Sequence, residues 1–119
     1  MILPAGVIPL NIIDIAYKYW EQTNLLPEEY QLSQNYPNPF NPTTTINFAL
    51  PEASKVRLEV YNILVQRVIT LVDGDLEAGY HSIRWNGIAA NGREVATGVY
   101  FYRIRAGDYV ESKKMLLLK

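Results

Sequence analysis

Residues 34–43 read Gln-Asn-Tyr-Pro-Asn-Pro-Phe-Asn-Pro-Thr, and the prolines of this stretch decide what the chain around it can form. Each proline fixes its own φ and pushes the preceding residue out of the α region, so a helix is excluded from Tyr36 to Pro42. We call residues 34–43 the proline segment and predict an extended, polyproline-like arm with turns at its asparagines. Tyr36 and Phe40 are its candidate plug residues, and we expect one of them to insert into an end of the folded body.

Downstream of the proline segment, apolar and polar residues alternate as they do in half-buried strands. Thr44–Leu50 shows this alternation and ends at Pro51, and residues 56–60 repeat it. Further strands are predicted over residues 66–72, 80–85, 94–95, 98–105 and 109–118, with Asp73-Gly74-Asp75 as the turn after the first of these. About seven short strands with frequent turn signals indicate an all-β antiparallel sandwich. Its predicted core contains Ile46, Phe48, Val56, Leu58, Val60, Ile83 and Trp85.

The part of the chain before the proline segment has a different pattern. Residues 10–23 place apolar side chains at helical spacing and predict an amphipathic helix. The apolar stripe consists of Ile12, Ile15, Ala16, Tyr19 and Trp20. A stripe of this size needs cover, so we expect self-association through this helix. We therefore divide the chain into residues 1–31, a helix with a linker, and residues 32–119, the β domain.

Composition excludes several classes of function. The chain has no cysteine, which removes disulfides, thiolate metal sites and thiol catalysis. A net charge of −1 disfavours a nucleic-acid partner. No apolar run approaches the roughly 20 residues of a membrane span. The sequence from Met1 lacks the basic region of a signal peptide, so an exported protein is expected to have its native start upstream.

Residues that could carry chemistry are sparse. His81 is the sole histidine, and no serine near it has the sequence context of a nucleophile. Asp73-Gly74-Asp75 lacks the spacing of a calcium loop and is interpreted as a hairpin turn. We therefore predict no catalytic residue, no cofactor and no metal site, and no enzyme activity.

The aromatic residues near the C-terminus leave two interpretations open. Alternation sends Tyr100, Tyr102 and Ile104 to one face of their strand, and Phe101 and Arg103 to the other. The first interpretation is a central strand of the core. The second is a carbohydrate-stacking platform that also includes Tyr80, Trp85 and Tyr109.

Several blocks of sequence, taken in order, resemble one family over residues 32–119. The blocks are Leu32–Pro42, Val60-Tyr61-Asn62, Gly79-Tyr80-His81 with Trp85, Gly98–Arg103, and Lys113-Lys114-Met115-Leu116-Leu117-Leu118-Lys119. The chain resembles the type A C-terminal sorting domains of bacterial type IX secretion cargo, which are related to the immunoglobulin-like domain of flagellar hook-capping proteins. The resemblance implies an immunoglobulin/fibronectin-III-like sandwich. One departure is Val65, where the family usually has glycine, and we expect a turn of somewhat different shape there.

The resemblance also implies a function. Residues 32–119 would be a non-catalytic secretion signal that directs an upstream cargo through the outer-membrane type IX machinery. The protein would pass through the periplasm to the cell surface or exterior. A sortase-like peptidase would then cut in the linker, over residues 24–33, and remove the domain or exchange it for a surface anchor. The implied translocon-recognition residues are Gly98, Tyr100, Lys113, Lys114, Leu116, Leu118 and Lys119. The alternative is an extracellular adhesion or carbohydrate-binding accessory module.

Overall fold

The structure is a computed structural model that describes residues 26–119. The predicted helix of residues 10–23 lies outside this range, as does the cover expected for its apolar stripe. The strands, all antiparallel, are β1 (Gln31–Leu32), β2 (Thr44–Leu50), β3 (Ser54–Tyr61), β4 (Arg67–Leu76), β5 (Gly79–Trp85), β6 (Gly98–Ala106) and β7 (Tyr109–Leu117). Within the described residues no helix is present that could cross a membrane.

The strands form two sheets whose apolar faces meet in one core, so the predicted all-β sandwich is confirmed. The smaller sheet has the order β1-β2-β5, and the larger sheet has the order β4-β3-β6-β7. Side-chain alternation explains the core, because every second residue of β2, β3 and β6 is buried. Of the predicted core residues, Ile83 alone is only partly buried; the others, Ile46, Phe48, Val56, Leu58, Val60 and Trp85, are buried.

The number of strands agrees with the prediction, but their identity differs in one case. Residues 94–95 form no strand, and Glu94 makes only an isolated bridge to Ile88. The seventh strand is instead β1, which lies in the stretch predicted to be linker and pairs Leu32 with Phe48. A strand of two residues is too short to show an alternating pattern. It is defined by its pairing with β2, which the sequence does not reveal.

The prediction of a turn at Asp73-Gly74-Asp75 is wrong. These residues continue β4, and the partners of Asp73 and Asp75 on β3 are Arg57 and Lys55. Pairing with β3 therefore outweighs the local turn preference of an Asp-Gly-Asp sequence. The chain turns after Leu76 instead, and Gly79 opens β5 with a φ of 141°.

The turn between β3 and β4 also departs from expectation. Val65 has a φ of 60°, so it occupies the left-handed conformation for which glycine is suited. A turn of altered shape was expected, yet the turn keeps the glycine geometry with a β-branched residue in it. Such a residue is strained by about 1 kcal/mol or more.

Candidate functional site: the terminal strand and the proline segment

The terminal strand β7 lies at the edge of the larger sheet and pairs there only with β6. Its side chains alternate between two environments: Met115 and Leu117 are buried in the core, whereas Lys114 is exposed. Leu118 and Lys119 follow the strand and are exposed too. The strand thus combines core residues with a row of accessible side chains.

The proline segment covers the C-terminal half of this edge. The Phe40 N–H donates to the Leu116 carbonyl at 2.9 Å, and the Leu118 N–H donates to the Phe40 carbonyl at 3.0 Å. The Asn38 side chain accepts from the Leu116 N–H at 3.0 Å, and the Gln34 amide donates to the Lys114 carbonyl at 2.7 Å. The edge of the terminal strand is therefore covered from Lys114 onwards.

The N-terminal half of the β7 edge is open. In an antiparallel strand alternate residues direct both backbone groups to the same side. Lys114, Leu116 and Leu118 face the proline segment, so Val110 and Ser112 direct their N–H and C=O groups to the same edge. Within residues 26–119, no segment pairs with that part of the edge. A partner strand could add there.

Phe40 and Tyr36, the two candidate plug residues, have opposite environments. Phe40 is 1% exposed and its ring centroid lies 5.8 Å from that of Trp85. Tyr36 is 79% exposed, although its backbone pairs with Thr45. Tyr36 is therefore not a plug. The backbones of the two residues pair with different sheets, Tyr36 with Thr45 of β2 and Phe40 with Leu117 of β7.

The proline segment is not a straight arm. It bends at residues 37–39 and 41–42, and its three X–Pro bonds are cis. Asn35 is buried at its start, where its side chain donates to the Thr44 hydroxyl at 2.9 Å and to the Pro37 carbonyl at 3.2 Å. The asparagines were expected to make local turns, but Asn38 bonds to the distant strand β7 instead.

Tyr102 connects the start of the proline segment to the core. Its hydroxyl donates to the Ser33 carbonyl at 2.6 Å and accepts from the Asn35 N–H at 2.8 Å. Burial raises the pKa of Tyr102 to about 12, against the lowering effect of the Asn35 hydrogen bond. The phenol therefore stays protonated at neutral pH and holds both neighbours.

The seven residues implied for translocon recognition do not form one surface. Lys114, Leu118 and Lys119 are exposed, and Lys113, Leu116 and Gly98 are half-buried. Tyr100 is 6% exposed, packs edge-on against Trp85 and donates its hydroxyl to the Ala96 carbonyl at 2.6 Å. Tyr100 is therefore a core residue in this fold, and its implied part in recognition stays a prediction.

The aromatic residues do not share an accessible face. Trp85, Tyr100 and Tyr102 are buried, and Tyr109 is half-buried under the ring of Tyr30. Phe101 is 37% and Tyr80 72% exposed. Phe101 lies on β6 and Tyr80 on β5, in different sheets. The stacking platform proposed from these residues is therefore not assembled, and the core-strand interpretation holds for β6.

His81 makes structural contacts. Its ring stacks on Phe48 with centroids 5.3 Å apart, and its Nε2 lies 2.8 Å from the Glu77 carbonyl oxygen. The hydroxyl of the neighbouring Ser82 donates to the Asn47 side chain instead. The prediction of no enzyme activity stays a prediction.

Comparisons with known proteins concern the fold. A family model described as the FlgD Ig-like domain matches residues 34–108, a span that ends just before β7. The crystal structure of dimeric latent PorU from Porphyromonas gingivalis superposes with a TM-score of 0.61 at 17% sequence identity. The alignment covers 77% of this chain and 10% of that chain, so it supports the fold alone. No curated protein sequence matches the chain.

Proposed function

The chain belongs to the FlgD Ig-like domain family, and from this premise we propose that residues 32–119 are a non-catalytic C-terminal secretion signal. The domain directs an upstream cargo protein through the outer-membrane type IX translocon. It passes through the periplasm and is then removed, or exchanged for a surface anchor, at the cell surface. Its partners are the secretion machinery and a sortase-like peptidase.

The observation that carries this proposal is the design of the terminal strand. The last residues of the chain form a sheet edge whose backbone is held by the proline segment, while Lys114, Leu118 and Lys119 stay accessible. A receptor could therefore read a rigid row of side chains without unfolding the domain. The open edge at Val110 and Ser112 offers it backbone groups for strand addition.

The proposed cleavage region becomes narrower than residues 24–33. Tyr30 already belongs to the folded body: its ring stacks on Tyr109 and its hydroxyl lies 2.9 Å from that of Ser54. The Ser33 N–H donates to the Asn47 carbonyl at 2.9 Å. A peptidase needs an extended and accessible substrate, so we exclude Tyr30–Ser33 and propose a cut on the N-terminal side of Tyr30, where Glu28 and Glu29 are exposed.

The test is export of a periplasmic reporter fused upstream of the whole chain, in a bacterium with a type IX system. The variant Lys114→Glu/Lys119→Glu reverses two exposed charges, one on the terminal strand and one just after it. The matched control, Arg84→Glu/Arg93→Glu, makes the same change in net charge at two exposed residues away from it. We expect the first variant to lower the exported fraction about tenfold or more and the control to be exported normally.

A folding check separates loss of recognition from loss of structure. Exposed charges contribute about 0–1 kcal/mol to stability, so both variants should unfold at nearly the same urea concentration as the parent chain. Undiminished export of the Lys114→Glu/Lys119→Glu fusion contradicts the proposal. It would favour the alternative, an adhesion or carbohydrate-binding accessory module, which a glycan-binding assay on the same variant would then examine.

A further inference from the structure

A groove of about 340 Å³ crosses the outer face of the larger sheet, opposite the core. Its lining residues are Arg57, Glu59, Tyr61, Arg67, Arg103 and Arg105. Four guanidinium groups and one carboxylate give this groove a net charge of +3, on a chain whose total is −1. Asp73 stands opposite Arg57 on β4 and lowers this to +2, so the surface keeps an excess of positive charge.

Glu59 holds part of the groove in place. It is 7% exposed, and its carboxylate lies 3.5 Å from Arg57 and 3.4 Å from Arg67. The Tyr61 hydroxyl donates to it at 3.0 Å. Burial alone would raise the pKa of Glu59, but the Tyr61 hydrogen bond, the Arg57 charge and further hydrogen bonds lower it overall. The carboxylate is thus ionised and pairs with two half-exposed guanidinium groups that line the groove.

Arg103 is positioned by an aromatic ring. Its guanidinium donates to the Tyr61 hydroxyl at 2.9 Å and lies 5.1 Å from the centroid of that ring. A cation over an aromatic face is favoured and keeps its remaining N–H groups available. The guanidinium is therefore preorganised rather than free to rotate in solvent.

Arg105 stands directly opposite Arg57 in the pairing of β3 with β6. Like charges at directly opposed positions destabilise a sheet. Among residues 26–119, Arg105 has no carboxylate within ion-pair distance. Arg57 is compensated by Asp73 opposite it on β4 and by Glu59, whereas the Arg105 side of this pair is not. An uncompensated charge of this kind is a local conflict, and such conflicts are characteristic of functional sites.

We propose that this groove binds the phosphate group of a phosphorylated ligand, either a sugar phosphate or a phosphorylated lipid headgroup. Guanidinium groups bind phosphate oxygens through paired, charge-assisted hydrogen bonds. Arg57, Arg103 and Arg105 are neighbours in the sheet, so they can converge on one compact group with several oxygens. Carboxylates spaced along an extended acidic peptide fit this cluster less well. The proposal is independent of the secretion function, because these arginines do not belong to β7.

The test is titration of the whole chain with inorganic pyrophosphate. Binding is measured by calorimetry and by changes in the amide NMR spectrum. We expect saturable binding, with shifts centred on β3 and β6. The variant Arg57→Gln/Arg105→Gln should bind at least about tenfold more weakly, because each guanidinium supplies charge-assisted bonds. The matched control, Arg84→Gln/Arg93→Gln, removes two exposed arginines elsewhere and should bind within about twofold of the parent chain.

Two further experiments distinguish a soluble sugar phosphate from a lipid headgroup as the source of the phosphate group. Glucose 6-phosphate that competes with pyrophosphate indicates a soluble sugar phosphate. Cosedimentation with phosphatidylcholine vesicles that contain phosphatidic acid, but not with phosphatidylcholine alone, indicates a lipid headgroup. The proposal is overturned if neither occurs, if the Arg57→Gln/Arg105→Gln chain binds pyrophosphate as tightly as the control, or if a triglutamate peptide binds more tightly than pyrophosphate. An unchanged amide spectrum away from the groove verifies that the variant is folded.

Discussion

The two halves of the terminal strand differ although they belong to one continuous β7. From Lys114 to Leu117 the strand is paired on both edges, by β6 and by the proline segment. From Tyr109 to Lys113 it pairs with β6 alone. Residues 114–117 are therefore part of the fold and not a tail added to it. Any test of the terminal residues as a signal must therefore separate recognition from stability.

The largest expected loss of stability comes from a change in the proline segment, which covers the C-terminal half of β7. Phe40→Ala removes a ring that is buried against Trp85 and leaves a cavity. Truncation of a buried phenylalanine costs about 3–5 kcal/mol, measured here as the free energy of unfolding in urea. The matched control is Tyr36→Ala in the same segment, which removes an exposed ring and should cost about 0.5 kcal/mol or less. Similar losses for both variants would mean that Phe40 does not stabilise the core.

A somewhat smaller effect is expected at the end of the strand. Leu117, two residues before the last residue of the sequence, is fully buried. Leu117→Ala should cost about 2–5 kcal/mol. Leu118→Ala changes an exposed neighbour and should cost about 0.5 kcal/mol or less by the same denaturation measurement. Equal stability of the two variants would show that the terminal half carries no core residue. Removal of residues 116–119 is expected to destabilise the domain, so it is unsuitable as a test of export.

The pH dependence of stability tests the contact of the Tyr102 hydroxyl with Ser33 and Asn35 at the start of the proline segment. Tyr102 has its pKa raised from 10.0 to about 12 in the folded state. A raised folded pKa means that this stabilisation is fully present below about pH 10 and is lost as the pH rises towards 12. The loss is about 1.4 kcal/mol per pH unit, roughly 3 kcal/mol in total.

Urea unfolding at pH 9, 10 and 11 measures this slope. Tyr102→Phe is the comparison, because it removes the ionisable group and the hydroxyl contacts to Ser33 and Asn35 together. The variant should start less stable at pH 9 and lose less stability as the pH rises. An identical slope in both proteins would assign the alkaline effect to other groups, such as Tyr109, whose pKa burial also raises.

The sequence predicted what alternation can reveal. Strands β2, β3 and β6 and the inward faces of Leu58 and Tyr102 follow from a period of two residues. It could not predict features that depend on pairing between distant segments. Asn38 reaches Leu116, and Arg105 faces Arg57, only because of the register of the larger sheet. A local turn signal gave a wrong prediction where pairing with a neighbouring strand outweighed it, as at Asp73-Gly74-Asp75.

Val65 illustrates the reverse case. The departure from glycine was visible in the sequence, but the conformation was expected to change with the residue. The turn instead keeps a φ of 60° there. The hydrogen bonds from the Leu64 and Gln66 N–H groups to the Asn62 side chain explain this, because they fix the turn on both sides of Val65. Turn geometry here is set by asparagine and not by the residue at the strained position.

Amide hydrogen exchange along β7 tests the central claim most directly, namely that the proline segment pairs with the C-terminal half of the terminal strand. The Leu116 and Leu118 N–H groups donate to Asn38 and Phe40, so they should exchange slowly. The Val110 and Ser112 N–H groups face the open edge and should exchange quickly. In Asn38→Ala, exchange at Leu116 should quicken while Leu118 stays protected. Rapid exchange at Leu116 and Leu118 in the unmodified chain, as fast as at Val110 and Ser112, would contradict the account.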